Sequence, residues 1–240
     1  MAICSAENLL KHGVLMLFVF GALLGDAGFP GVLHAWNDET HLAIAKAAGY
    51  VKWYNATGAD MLKMKAGKRE SHNHYATNFP GNNVSTRSVR KQIGKYNQVH
   101  RLGHLYGAIV HSVRDFKEDR KAGKYGHYHL AFCAHYVGDL SQPLHHTPYN
   151  AYNKANHRST DGIINRRVLA DYNRIRIYPI SIHSESDLIR EITRIANLSL
   201  QLGRKLERKN RIITPDEAYG QISHSASLFK AILRYVGAIT

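Results

Sequence analysis

Three residues able to hold a metal ion stand within eleven positions of one apolar stretch, "HYVGDLSQPLH": His135, Asp139 and His145. His135 and Asp139 are four apart, so on a helix both side chains leave the same face and can converge on one ion. Pro143 ends that helix, because the residue before a proline is pushed out of the helical region. His145 therefore follows a break in direction. The spacing recurs in "HRSTD", where His157 and Asp161 form a second His-x-x-x-Asp pair. With 16 histidines in the chain, one such pair carries little weight. Two pairs, with His145 between them, carry more. Imidazole and carboxylate suit zinc, with bonds of about 2.0 to 2.2 Å, and hydrolytic sites keep one position open for water.

The elements that must position these residues read as helices. "NDETHLAIAKAAGYVKWY" begins at a cap-like Asn37 or Asp38 and repeats apolar residues at helical spacing. Residues 55 to 96 lack sustained periodicity, and a connection that long carries function or contains short elements of its own. Val99 through Val113 marks a second helix, about 127 to 141 a third, and about 155 to 173 a fourth. "SESDLIREITRIANLSLQLGRKL" makes a fifth, acidic at its start and basic at its end. The last helix begins at Thr214, with Pro215 in its first position and Glu217 in the capping-box place. Alternating strands are nearly absent. These patterns predict an all-α fold: a compact multi-helix single domain over residues 36–240.

Residues 1–35 read as a separate segment. Lys11 and His12 precede the apolar run "GVLMLFVFGALL", then Gly and Pro punctuation, then the small residue Ala35. That is the layout of a secretory signal peptide, cleaved near Ala35, and the run is short for a membrane span. The alternative is a retained anchor. The formal net charge of +14 favours anionic partners: phosphate esters, nucleic acid, acidic lipid or cell-wall polymers. Of two cysteines, Cys4 lies in the leader, so Cys133 has no partner and a disulfide framework is excluded. Cys133 reads as a buried structural thiol.

"HYVGDLSQPLH" closely resembles the signature of the bacterial zinc-dependent phospholipase C family and of its relatives, the single-strand-specific zinc nucleases. The resemblance implies an all-helical secreted enzyme with three zinc ions, its mature chain starting at a tryptophan whose amino nitrogen and carbonyl oxygen bind metal. Cleavage after Ala35 exposes Trp36. By resemblance, Asp60, His74, His135 and Asp139 hold one zinc, and His145, His157 and Asp161 a second. Trp36 and His41 hold the third, with Asp139 as bridge. His72 is the alternative to His74. The implied reaction is phosphoric-ester hydrolysis, a zinc-activated water attacking phosphorus with Asp60 as both ligand and base.

Two substrate classes follow. The short spacing from His145 to His157, and Glu39 where phospholipases meet a choline head group, favour a phospholipase C-like enzyme acting at phospholipid head groups on a membrane surface. The tryptophan-to-histidine spacing of "WNDETH", Asp161, the basic charge and Tyr75, an aromatic that could stack on a base, favour a single-strand-specific nuclease or nucleotidase. Met61, after Asp60, and His146 and Thr147, after the signature, depart from the phospholipase pattern. A third class is a secreted metal-binding module without turnover. The expected location is secreted or periplasmic, and the expected state a monomer. His100, His104 and His111 read as surface or packing residues, His127 and His129 as possible supports of the metal ligands, and "KEDRKAGK" as a solvated loop.

Overall fold

The computed structural model describes residues 36–240; the expected signal peptide and its cleavage point at Ala35 lie outside the described residues. Within them the chain is all-α. Among the described residues the only strand-like feature is an isolated bridge between Ala76 and Gly103. No helix among the described residues is long and apolar enough to cross a membrane.

The helices are α1 Asp38–Ala47, α2 Gly58–Ala66, α3 Lys68–Ser71, α4 Thr86–Ile93, α5 Leu105–Lys121, α6 His127–Leu140, α7 Ala151–Gly162, α8 Asn165–Val168, α9 Glu185–Arg208 and α10 Pro215–Tyr235. Short 3-10 turns cover Trp53–Asn55, Pro143–His145 and Tyr172–Arg174. Helix α6 is the centre, with α5, α10, α2 and α1 all packed on it. One apolar cluster fills the space between α5, α6, α9 and α10, including Ile109, Leu130, Tyr136, Leu188, Ile192 and Phe229. A second gathers Trp36, Ile44, Val168, Leu206 and Ile222. Cys133 is buried and unpaired, as its apolar setting predicts.

Local chemistry accounts for most boundaries. Thr214 and Glu217 form the expected reciprocal capping box, with Pro215 opening α10. Ser184 caps α9 through the Asp187 amide. Asn37 occupies the N-cap of α1, although its side chain makes no capping bond.

The structure also shortens or shifts several expected elements. Helix α1 stops at Ala47 because Gly49 turns the chain with φ +84, a left-handed conformation that glycine adopts without steric cost. The second expected helix starts at Leu105 rather than Val99, and runs on through "KEDRK", so most of that charge run is helical surface rather than loop. The fourth divides into α7 and α8. Residues 55 to 96, aperiodic in sequence, contain α2, α3 and α4. Helix α4 has its own capping box from Ser85 and Ser88.

Candidate metal centre

Eight of the nine expected ligand positions contribute side chains to one buried region; the ninth, Trp36, was expected to act through its backbone. Three groups of potential ligand atoms form there: His41, His135 and Asp139; Asp60, His74 and His135; and His145, His157 and Asp161. They arrive from different elements: His41 from α1, Asp60 from α2, His74 from the segment after α3, and His135 and Asp139 from α6. His145 comes from the turn after Pro143, and His157 and Asp161 from α7.

Asp139 is the junction. Its Oδ2 faces His74 Nδ1 (2.8 Å) and His135 Nε2 (3.6 Å), and its Oδ1 faces His41 Nε2 (3.6 Å) and His145 Nδ1 (3.7 Å). Asp60 Oδ1 stands 3.4 Å from His135 Nε2 and 3.9 Å from His74 Nδ1. In the remaining group, His157 Nε2 lies 3.5 Å from Asp161 Oδ2. Ligand atoms around a tetrahedral ion with bonds of about 2.1 Å stand about 3.4 Å apart, so most of these separations suit ligands sharing an ion; His145 Nδ1, which bonds to the His74 carbonyl, is not among them.

Unsatisfied atoms point the same way. Both nitrogens of His41, Nε2 of His135, Oδ1 of Asp139 and Oδ2 of Asp161 are buried without a hydrogen-bond partner. Each such atom costs roughly 1–3 kcal/mol if nothing meets it, and here they aim at one another. A cation among His41 Nε2, His135 Nε2 and Asp139 Oδ1 would satisfy those three, and a second beside His157 would satisfy Asp161 Oδ2.

The opposite ring nitrogens are held by protein atoms. His135 Nδ1 donates to the Ala56 carbonyl (2.9 Å), His145 Nδ1 to the His74 carbonyl (2.6 Å) and His157 Nδ1 to Asn153 Oδ1 (2.7 Å). His74 turns its Nε2 to Glu70 Oε1 (3.1 Å), leaving Nδ1 for the centre. Such bonds fix ring orientation and tautomer for a metal ligand.

Glu70 itself has no place in the motif pattern. It is almost fully buried, and receives Tyr136 Oη (2.6 Å) and Asn73 Nδ2 (3.0 Å) besides His74. Its spacing of four before His74 on a helical turn is the signal that could have found it. Lys63 is a second addition, paired with Asp60 one helical turn earlier. Gln142 is a third: its side-chain oxygen accepts from the Leu144 amide and from the His145 amide (3.1 Å), while its nitrogen donates to Asp161 Oδ1. One residue thus ties the turn carrying His145 to α7.

The electrostatics follow from burial against opposed charges. Burial and the neighbouring His135 push His41 well below the usual imidazole range, and burial with Lys63 does the same to His74, so both rings are neutral. Burial alone would lower His135 too, but Asp60 and Asp139 outweigh it and bring it up to about 8. Burial raises Asp139 to about 8. For Asp60 burial is opposed by His135, Lys63 and His74, which hold its carboxyl well below the ordinary range.

The other sequence-predicted residues are placed as follows. Trp36 is buried, and its indole donates to Ser141 Oγ (3.3 Å), two residues after Asp139. The next amide, Asn37, donates to the Asp161 carbonyl (3.4 Å), so the segment at Trp36 and Asn37 borders the centre. His72 lies outside all three groups, with its Nδ1 against the Lys68 carbonyl (2.5 Å). Glu39 accepts from Asn165 of α8. Tyr75 packs on His72, ring centroids 5.7 Å apart. His129 pairs with Asp119 (3.1 Å) and His127 packs on Phe116, so neither supports a ligand. His146 is buried between the Tyr106 hydroxyl (2.8 Å) and the Leu140 carbonyl (2.8 Å), a packing role.

Among known proteins, no family model, no curated sequence and no solved structure matches this chain. The assignment of function rests on the site itself.

Proposed function

We propose that the protein is an exported tri-zinc phosphoric-ester hydrolase, phospholipase C-like in its substrate. The observation that supports this most is the convergence of eight histidine and aspartate side chains, seven of them buried, into three groups, two of which share His135. Asp60, His74, His135 and Asp139 would hold one ion, and His145, His157 and Asp161 a second. His41 and Asp139, with the backbone of Trp36 at a processed terminus, would hold the third. When bound, such ions neutralise phosphoryl oxygens and lower the pKa of water.

The protein's own groups do the rest. Asp60 is the most open of the eight, its side chain 22% exposed, which marks the side from which substrate arrives. Held ionised by its neighbours, it accepts a hydrogen bond from the attacking water and orients it toward phosphorus. Lys63, paired with Asp60, would offer its ammonium to an anionic phosphoryl group. The partner in this reading is a phospholipid head group at a membrane surface. The nuclease reading keeps the same chemistry and draws on Tyr75, a half-buried ring close to His74 in the chain.

The test is turnover by the purified protein on phosphatidylcholine, an anionic phospholipid and single-stranded DNA, each with and without chelator. Chelator-sensitive head-group release is the expected result, and Asp60→Asn should remove most of it while keeping the helical content. Chelator-sensitive cleavage of DNA alone would move the protein to the nucleases. Zinc binding without any turnover would make it a metal-binding module.

A further inference from the structure

Of eleven exposed large apolar side chains among the described residues, five come from two segments, the others being Phe79, Val99, Tyr149, Tyr172, Ile177 and Ile212. Val51 is 79% exposed, Tyr54 59%, Met61 63%, Tyr125 62% and Tyr128 47%. The two segments are residues 51–61, which end in α2, and the approach to α6. Tyr54, Met61, Tyr125 and Tyr128 line one groove of about 310 Å³, floored by Ala131 and Phe132. The groove adjoins the metal centre, since Met61 follows Asp60 and Phe132 lies one helical turn before His135.

The charge around this groove is mainly basic, with Asp119, which accepts from the Tyr128 hydroxyl (3.0 Å), and Asp60 as the acids at its edge. Between Lys46 and Arg69 the chain carries Lys46, Lys52, Lys63, Lys65, Lys68 and Arg69 against Asp60 alone, and Arg120, Lys121 and Lys124 meet no acid between residues 120 and 131. Lys65, Lys68, Arg69, Lys121 and Lys124 are exposed. Lys52 lies over the Tyr125 ring, 4.5 Å from its centroid, and donates to the Tyr125 hydroxyl (2.6 Å).

We propose that this face docks the protein on an anionic lipid surface. Tyrosines with an apolar body and a polar tip, beside lysines that lay their stems along apolar surface, are the composition that settles at the boundary between head groups and acyl chains. Each lysine or arginine near such a surface adds attraction to acidic lipid. A clustered apolar patch of this kind is what a monomeric surface otherwise avoids. Lipid accounts for the patch better than a nucleic-acid strand does. Val51 and Met61 have no ring face for a base, and one face of Tyr125 is already covered by Lys52. Docking turns Asp60, the most open ligand, toward the bilayer. The catalytic meaning of that orientation rests on the phospholipase reading; the docking itself does not.

The test is co-sedimentation of the protein with vesicles of phosphatidylcholine alone and of phosphatidylcholine mixed with phosphatidylglycerol, in chelator so that nothing is hydrolysed. The expected result is binding to the mixed vesicles, weakened about tenfold or more in the Tyr54→Ser/Tyr125→Ser/Tyr128→Ser variant because apolar burial is lost. Val51→Ser, at a side chain too exposed to hold the fold, should weaken binding in the same direction. Lys65→Gln/Lys68→Gln should reduce binding most at low salt. Equal binding by parent and tyrosine variant, or no binding to mixed vesicles, overturns the proposal. Loss of single-stranded oligonucleotide binding in the same variant, with vesicle binding intact, assigns the surface to nucleic acid and also overturns it. Head-group release with zinc restored is scored separately, so docking without release defeats the enzymatic reading alone.

Discussion

His41 of α1 lies directly against the bare Cα of Gly138 on α6: a Cβ at that position would overlap the imidazole ring and come within 3.4 Å of Ile44 Cδ1. The same contact stacks His41 on His135, with ring centroids 3.7 Å apart and planes 9° from parallel. A glycine one residue before Asp139 is therefore what lets α1 bring its histidine to the carboxylate. Gly138→Ala should cost about 1–3 kcal/mol of stability, as overpacking does, and lower the zinc bound per chain. Urea unfolding and elemental analysis of the same preparation check both; unchanged zinc content would show that His41 does not depend on the contact.

Asp139 faces the inward ring nitrogens of His41, His74 and His135, which fall in two of the three groups, so its replacement should be felt by more than one ion. Asp139→Asn keeps the size but removes the charge, and is expected to lower zinc content by more than one equivalent per chain. In chelated protein the same change should cost less than in zinc, because burial raises the Asp139 carboxyl and weakens its hold on a charge when no cation is present. Thermal melts of parent and variant in chelator, against melts in zinc, separate the two effects.

Zinc should stabilise the fold outright. The buried unpartnered atoms of His41, His135, Asp139 and Asp161 are costs that a cation removes. At a free concentration one hundred times the dissociation constant, each site adds about 2.7 kcal/mol. Chelator should lower the melting temperature, and zinc restore it; a melting temperature indifferent to both would speak against any of the three groups being a metal site.

Glu70 holds His74 from behind, and its charge strengthens that ring as a ligand. Glu70→Gln should weaken zinc binding about 10- to 100-fold, the usual effect of losing such a partner, as read by competition with a chromophoric chelator. Asn73 and Tyr136 also bond to Glu70, so Glu70→Ala should additionally destabilise the chelated protein.

His104 makes part of the acid sensitivity. Buried at the start of α5, it bonds through Nε2 to Asn73 Oδ1 (2.8 Å), while its Nδ1 meets no acceptor. Burial, with His72, His100 and Lys95 nearby, lowers it to about 4. The unfolded chain takes up this proton near pH 6.5, well before the folded one does. The stability tied to His104 is therefore complete above about pH 6.5 and declines as pH falls toward 4, by up to roughly 3 kcal/mol. Urea unfolding in chelator between pH 7 and 4.5 should show a shallower decline for His104→Gln than for the parent.

What the sequence determined by itself is what local geometry determines. A separation of four on a helix puts His135 beside Asp139 and His157 beside Asp161 whatever surrounds them, and Thr214-Pro215 with Glu217 starts a helix through atoms a few bonds apart. The all-α class follows from the same periodicities. The resemblance of "HYVGDLSQPLH" then supplied His41, Asp60, His74 and the remaining candidate ligands in order, and the structure brings the side chains of all but Trp36 together. Residues 55 to 96 hid α2, α3 and α4, because short helices owe their stability to what they pack on rather than to their own pattern.

Tertiary structure decided what depends on contacts between distant segments. It placed His74 rather than His72 at the centre, and it put Glu70, Lys63 and Gln142 around the ligands. It also turned Gly138 from a weak helix residue into the seat of His41. No spacing rule reaches from α1 to α6. Packing sets that approach, and with it the convergence of His41, His74 and His135 on one aspartate.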